Sequence, residues 1–295
     1  MAKKTTKKKE VKILQIIIAI LIAAFGGYFA KDYVLDPYEP LPLEEYYLEV
    51  EGLEGEAFIN KLHEIINRDF KALSYSKAKN VLMDADVAPD DDTKVLTIYS
   101  REKVERDWGK GNNWHREHVW PNSRLGLERV DESDKNRASD LHNLRAIVPS
   151  VNSSRSNKVF DETTSSNTFY PGDEDKGDVA RILFYMIIMY PDLELVDEVL
   201  PNDTETNYLP EGAKMAKLSV LLKWHEEDRV DDFERHRNNV IYEAQRNRNP
   251  FIDHPEFVYK IFDIKEEQET ASKNKLHSYY YIIITDLRRK EEFLC

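Results

Sequence analysis

Apolar positions along the chain predict a domain built mostly of helices. Phe58, Leu62, Ile65 and Ile66 recur at intervals of three and four residues, which indicates one apolar helix face. Similar patterns predict further helices over 178–190, 212–226 and 231–247. The β-branched and aromatic run at 95–99 predicts a strand. Because a few short strands stand among longer helices, the predicted fold class is α+β.

An uncharged apolar stretch covers residues 13–30 and follows a start rich in lysine. It is longer than the usual apolar core of a signal peptide and long enough to cross a bilayer. We therefore expect an N-terminal membrane anchor, with a cleaved signal peptide as the alternative. Lysines before such a helix stay in the cytoplasm, so the rest of the chain is expected outside, secreted or tethered to the outer face of the cell membrane.

Composition divides the remainder of the chain into three parts. Residues 31–51 contain Pro37, Pro40 and Pro42 and predict an extended linker. Residues 52–263 carry the helical patterns and form the predicted globular domain, and 264–295 form a charged tail to which no function is assigned. The domain is long enough to bury a core without disulfides.

Charge and cysteine content limit the function classes. Residues 1–12 hold six lysines and one glutamate, and 13–30 hold no charge, so the net −13 of the chain becomes −18 over 31–295. That charge disfavours long-range attraction to a polyanion, so a nucleic-acid enzyme would need a local basic patch and a bound cation. The single cysteine, Cys295, excludes an intrachain disulfide and the cysteine half of a nucleobase-deaminase zinc site. The spacing of a zinc metalloprotease, H-E-x-x-H, is absent as well.

The candidate chemistry is concentrated between residues 114 and 157. The segment 114–121 (WHREHVWP) predicts a strand that stops at Pro121. The segment 140–145 (DLHNLR) predicts a second short strand, and a helix is predicted to begin near Val151 with Ser150 as its cap. Strand, strand and helix in this order form the minimal frame of a ββα-metal site.

These motifs resemble the endonuclease I family of ββα-metal, or His-Me finger, nucleases. The resemblance rests on 116–121, on 140–144, on Val151-Asn152 with Arg155 and Asn157, and on 231–256, and it covers about 55–262. It implies a mostly helical α+β domain with an embedded ββα-metal site. It also implies a phosphodiester hydrolase that cleaves DNA, RNA or both, largely without sequence specificity. The implied cation is Mg²⁺, with Mn²⁺ or Ca²⁺ as alternatives.

The family pattern makes His118 the general base and Glu117 with Asn152 the metal ligands. A histidine with a pKa near neutrality suits the deprotonation of water, and Mg²⁺ prefers oxygen ligands. Neighbouring residues of a strand point to opposite faces, however, so Glu117 and His118 can serve one site only where the strand ends or bulges.

Other residues of the motifs are expected to assist. An arginine should hold the scissile phosphate; Arg124, Arg137 and Arg155 are candidates, with Arg137 favoured by position and Arg155 by motif. Further expected substrate contacts are Arg116, Arg124 and Arg145. Residues expected to support the site from behind are Asp140, His142, Asn143 and Asn157, although His142 could equally brace the strands. The alternative function is an inactive extracellular nucleic-acid-binding or scaffold protein. No protein partner is predicted, and the choice between DNA and RNA stays open.

Overall fold

The computed structural model describes residues 40–198 and 213–262. The chain divides into two compact units, Met1–Pro42 and Leu43–Cys295, and every described helix and strand lies in the second. The predicted anchor at 13–30, residues 31–39 of the predicted linker and the predicted tail at 264–295 lie outside the described residues. No helix within the described ranges combines the length and the apolar character that crossing a membrane requires.

Helices and short strands alternate along the second unit. The α-helices are α1 (Leu43–Tyr46), α2 (Gly55–Asn67), α3 (Tyr75–Ala85), α4 (Pro149–Arg155), α5 (Lys176–Met189), α6 (Leu218–Glu227), α7 (Asp232–Gln245), α8 (Pro250–Asp253) and α9 (Phe257–Ile261). The strands are β1 (Val87–Ala88), β2 (Asp91–Leu96), β3 (Lys103–Glu105), β4 (His115–His118), β5 (Leu144–Ile147), β6 (Val159–Phe160), β7 (Thr168–Phe169), β8 (Glu194–Val196) and β9 (Lys214–Ala216). Short 3-10 turns cover Leu48–Val50, Gly109–Gly111, Asn122–Arg124, Arg137–Ser139 and Leu141–Asn143. This mixture confirms the α+β class.

The helix α5 lies at the centre of the domain. It is buried on every side from Gly177 to Met189 and packs against α2, α6 and α8. From Val179 to Met189 its residues other than Arg181 are apolar, as expected of a helix at such a central position. The face of α2 that it contacts is the predicted one, because Phe58, Leu62, Ile65 and Ile66 are all buried. The predictions of helices near 58–66 and 178–190 are therefore confirmed.

Two other predicted elements differ at their ends. The helix predicted from 212 begins only at Leu218, because 214–216 form β9, which pairs in parallel with β8. The strand predicted at 95–99 is β2 and lies earlier, at Asp91–Leu96. The predicted helix at 231–247 is confirmed as α7. The Asp231 side chain caps its N-terminus by accepting the N–H of Glu234.

The sheets are small. The strands β1, β2 and β3 form one antiparallel sheet, whereas β6 pairs with β7 and β8 with β9 in parallel. The pair that matters for the site is β4 with β5, antiparallel, with Glu117 opposite Arg145 and His118 opposite Leu144. The helix α4 follows β5 directly, so the described chain contains the predicted order of strand, strand and helix.

The details of that motif correct two predictions. The second strand begins at Leu144 rather than at Asp140, because the Asp140 carboxylate accepts the N–H of His142 (2.9 Å) and caps a 3-10 turn. The helix begins at Pro149 after Val148, so Ser150 is not its cap. Proline suits the first helical position because its missing N–H has no partner there.

A buried ion network joins β5 to α3, α5 and α7. Asp86 directly follows α3 and is fully buried; it accepts from Arg145 Nε (3.1 Å), from Arg237 and from the N–H of Ala146 (2.7 Å). Arg145 also donates to Asp178 of α5 (2.9 Å). Buried charges of this kind need partners to offset the cost of leaving water, so the network fixes β5 relative to three helices.

Candidate active site

The alternating side chains of β4 contact two different parts of the domain. His115 lies 3.3 Å from the Asn152 amide, and Glu117 lies 3.1 Å from Arg155, so this face meets α4. Arg116 and His118 instead contact Tyr75, the first residue of α3. The two adjacent candidates, Glu117 and His118, therefore do leave the strand on opposite sides. Since His118 is the last residue of β4, the site is built around the end of the strand.

His118 has a defined tautomer when neutral. Its Nε2 lies 2.7 Å from the carbonyl oxygen of Ala138, and a carbonyl can only accept, so Nε2 carries the proton. The Nδ1 atom is left with a lone pair and no hydrogen bond from any described residue. Burial lowers the pKa of His118 to about 4, against the raising effect of the Ala138 carbonyl. The ring is thus neutral near pH 7 and can accept a proton at Nδ1.

The carboxylate of Glu117 is buried, with 2% of the residue exposed. Its Oε1 accepts from the hydroxyl of Tyr99 (2.9 Å) and faces Nε of Arg155 (3.1 Å). No described residue hydrogen-bonds Oε2. Burial raises the pKa of the Glu117 carboxyl to about 7, although Arg155 and Tyr99 each act to lower it. Further positive charge beside this carboxylate would stabilise its ionised form.

These donors suit a hard divalent cation. Asn152 lies on α4, and its contact with His115 puts it beside the same face of β4 as Glu117. A carboxylate oxygen and an amide oxygen are the ligand types that Mg²⁺ takes while it keeps several waters. Within 40–198 and 213–262 no group of three or more His, Cys, Asp or Glu side chains could hold a metal, so a zinc-type cage is not part of the described domain.

Comparison with known proteins identifies the family. The model of the Endonuclease I family matches residues 54–169 and 161–256, which include β4, β5 and α4. This chain belongs to the endonuclease I family. It is therefore a nuclease that hydrolyses phosphodiester bonds.

Curated relatives agree with this assignment. The chain is 40% identical over 239 residues to a protein named extracellular ribonuclease from Bacillus amyloliquefaciens, covering 74% of this chain and 78% of the relative. It is 38% identical, with the same coverage, to the extracellular ribonuclease of Bacillus subtilis (strain 168). Similarity to Endonuclease-1 of Buchnera aphidicola subsp. Baizongia pistaciae is 24% over 178 residues, 50% of this chain and 65% of that protein.

In this endonuclease I domain, the polar residues predicted to support the site are buried. The Asn143 side chain accepts the N–H of Trp120 (2.7 Å) and donates to its carbonyl (3.1 Å), which holds the backbone just after His118. Asp140 accepts from Gln245, Tyr185 and Tyr190, each at 2.8 Å. These contacts fix the turn before β5 and touch neither His118 nor Glu117.

Buried histidines make the nuclease sensitive to acid. The ring of His142 contacts the carbonyl of Asn247 (3.3 Å), and burial lowers its pKa to about 3; burial likewise lowers the pKa of His225 to about 4. The unfolded chain takes up these protons near pH 6.5, before the folded chain can. The contribution of these two histidines to stability is therefore complete above about pH 6.5 and is lost as the pH falls towards 4.

We expect the contribution of each such histidine to the free energy of unfolding to fall by about 1.4 kcal/mol per pH unit below pH 6.5. Urea unfolding of wild type, His142→Gln and His236→Gln at several pH values between 7 and 4 tests this. The His142→Gln variant should have a shallower slope than wild type, while the exposed His236 serves as the matched control. Equal slopes for wild type and His142→Gln would contradict the assignment.

The arginines singled out from the sequence have different surroundings. Arg155 is fully buried; besides Glu117 it contacts the carbonyls of Val119 (2.6 Å) and Ser156 (2.9 Å). Arg145 belongs to the buried ion network, is 1% exposed and pairs with two carboxylates, so the predicted substrate contact would require an exposed guanidinium that this structure does not give it.

The other three lie nearer the surface. Arg116 is stacked on Tyr75 and paired with Glu132 (2.6 Å). Arg124 donates to the carbonyl of Asn157 (2.7 Å), a residue that is itself buried. Arg137 pairs with the exposed Asp192 (2.6 Å) and directly precedes Ala138, the residue that fixes His118.

Two tyrosines that contact the site, and one exposed arginine, were not found from the sequence. Tyr75 and Tyr99 contact His118 and Glu117 from outside the ββα motif, and nothing in the sequence pattern links them to it. Arg129 lies in the connection from β4 to β5, is exposed, and has no ion-pair partner among the described residues. Its position between β4 and β5 could have indicated Arg129 as a candidate phosphate contact, since Arg124 and Arg137 lie in the same connection.

Proposed function

We propose that this nuclease hydrolyses RNA outside the cell, with His118 as the general base and a divalent cation, Mg²⁺, held by Glu117 and Asn152. The observation that carries the proposal is the 2.7 Å contact between His118 Nε2 and the Ala138 carbonyl. It leaves Nδ1 as the acceptor of the neutral ring. A general base needs this combination of an accessible lone pair and a defined orientation.

Each residue of the site has its own proposed role in the reaction. His118 Nδ1 takes a proton from the attacking water while Nε2 keeps its own. Tyr99 and Arg155 hold Oε1 of Glu117, so Oε2 is the oxygen available to the cation. The cation, when bound, neutralises charge on the phosphate and stabilises the leaving oxygen. Its charge also favours the ionised form of Glu117, whose pKa burial raises to about 7.

Phosphate contacts are proposed for Arg129 and Arg137 at the rim of the site. Both lie in the connection between β4 and β5, and among the described residues the ion-pair partner of Arg137 is an exposed aspartate. Surface ion pairs contribute little, so a phosphate can replace Asp192 at small cost. Arg155 is buried against Glu117 and is proposed to position that carboxylate. Contacts to phosphate carry no sequence information, which supports largely nonspecific cleavage.

The choice of RNA and of an external location rests on the relatives. Two proteins that share 40% and 38% identity over most of their length are named extracellular ribonucleases. The acidic character of residues 31–295 accords with a bound cation as the main attraction for the polyanion. Hydrolysis of duplex DNA stays within the proposal as a second activity of the same site.

The test is cleavage by the purified full chain of single-stranded RNA and of duplex DNA, each with Mg²⁺ or with EDTA. We expect RNA cleavage that EDTA abolishes and that Mg²⁺ in excess of EDTA restores. Parallel samples with Mn²⁺ and Ca²⁺ rank the cations. Cleavage that persists in EDTA would contradict the role given to Glu117 and Asn152. Binding of nucleic acid with no cleavage in any cation would favour the inactive binding protein.

A further inference from the structure

Among the described residues, the imidazole of His118 makes one hydrogen bond and one stacking contact. The hydrogen bond is to the Ala138 carbonyl at the edge of the ring, and the stacking contact is with Tyr75 at its face, with ring centroids 5.3 Å apart and planes inclined by 25°. A single hydrogen bond to an edge does not fix the plane of a ring, because the ring can still turn about that contact. A stacked neighbour removes this freedom.

Tyr75 is itself held on three sides. Its N–H donates to the carbonyl of Asp134 (2.9 Å), and its carbonyl accepts from Arg116. The Arg116 guanidinium lies 3.4 Å from the centre of the Tyr75 ring, a cation–π contact, and pairs with Glu132 (2.6 Å). The N–H of Ser76 donates to the Glu132 carbonyl (2.9 Å), so the start of α3 is joined to the connection between β4 and β5.

The same connection carries Ala138 and holds Tyr75, the residues that contact the edge and the face of the His118 ring. Residues 132–134 hold Tyr75, and three residues later a 3-10 turn carries Ala138. That turn is stabilised by Asn136, whose side chain accepts the N–H of Ala138 (2.9 Å) while Ser139 closes the capping box. The edge and the face of the imidazole are therefore both fixed by one stretch of chain.

We propose that Tyr75, held by Arg116 and Glu132, is a positioning residue that fixes the plane of the His118 ring so that Nδ1 faces the attacking water. This inference rests on the proposed role of His118. Arg116, predicted from its motif to contact substrate, then acts through Tyr75. The side chain of Tyr75 needs its ring for this role and not its hydroxyl, for which no described residue is a hydrogen-bond partner.

The test compares Tyr75→Phe, Tyr75→Leu and Tyr75→Ala in kcat and KM for RNA. Small displacements of a base cost much of its effect, so we expect kcat to fall about 10- to 100-fold in the Leu and Ala variants. KM should stay within about threefold, and Tyr75→Phe should stay within about threefold of wild type in both constants. Tyr170→Ala is the matched control, since this partly buried tyrosine contacts Asp173 and Trp224.

A double-mutant cycle separates positioning from general support of the fold. If Tyr75 acts through His118, Tyr75→Leu should change the residual rate of His118→Ala by less than about twofold. An equal loss in both backgrounds, a rise in KM alone, or no loss at all would each overturn the inference. The Leu variant keeps most of the buried apolar volume, so it decides the question if Tyr75→Ala fails to fold.

The cycle also distinguishes the two proposals. Full activity of His118→Ala would overturn the proposed base and this inference with it. Loss of activity in His118→Ala, combined with unchanged kcat in Tyr75→Leu, would overturn the inference alone.

Discussion

Replacing His118 with alanine is expected to reduce kcat for RNA cleavage by about 10²- to 10⁴-fold, the usual contribution of a general base. The reason is the lone pair at Nδ1, which stays free because Nε2 carries the proton and donates it in a hydrogen bond to the Ala138 carbonyl. The variant should keep its KM within a few-fold, because His118 is proposed to act on water and not to hold the substrate. Steady-state assays over a range of RNA concentrations at saturating Mg²⁺ measure both constants.

The matched control is His236→Ala. His236 is exposed on α7, and its ring contacts the carbonyl of Asp84, far along the chain from the ββα motif. It should retain the activity of wild type. Unfolding midpoints of both variants show whether any loss reflects the fold. A folded His118→Ala protein with wild-type kcat would mean that another group deprotonates the water.

Much of this site could be predicted from the sequence because its parts are close in the chain. The strand with Glu117 and His118, the turn with Asn143 and the helix with Asn152 all fall within 115–155, and each has a recognisable local pattern. The long helices were predictable for the same reason, since their apolar spacing is a local signal.

What the sequence could not supply are contacts between distant segments. Tyr99 reaches Glu117 from the turn after β2, and its φ of 72° is rare for a residue other than glycine. Tyr75 reaches His118 from the start of α3. A tyrosine does not by itself indicate a position beside the site, because tyrosines occur throughout the chain. Only the fold brings them to the site.

The same limit explains the prediction for Arg145 as a substrate contact. Arg145 was expected, with Arg116 and Arg124, to contact the substrate, and arginine is often a phosphate ligand. The carboxylates that bury it, Asp86 and Asp178, come from before β1 and from α5. No local pattern announces that pairing, so the residue was assigned from its neighbours in sequence and not from its neighbours in space.

Replacing Asp86 with alanine is expected to destabilise the domain by about 3–5 kcal/mol, the usual cost of removing one partner from a buried ion pair. Asp86 is fully buried and accepts from Arg145, from Arg237 and from the N–H of Ala146. Its loss leaves Arg237 with a backbone carbonyl as its remaining described acceptor and removes the acceptor of a β5 backbone group. Since domains of this size are stable by about 5–15 kcal/mol, the loss is a large part of the total.

Asp84→Ala is the matched control for this prediction. Asp84 stands two residues earlier and pairs with Arg106 at the surface, where its side chain is 61% exposed, so its removal should cost less than about 1 kcal/mol. Urea unfolding at pH 7 compares the two. At urea concentrations below its unfolding midpoint, the Asp86→Ala protein should keep far more activity than the His118→Ala protein. The reason is that Asp86 contacts neither His118 nor Glu117. If the Asp86→Ala protein were as stable as Asp84→Ala, water or rearranged side chains would have to provide new partners for Arg145 and Arg237. The network would then not be what fixes β5 against the helices.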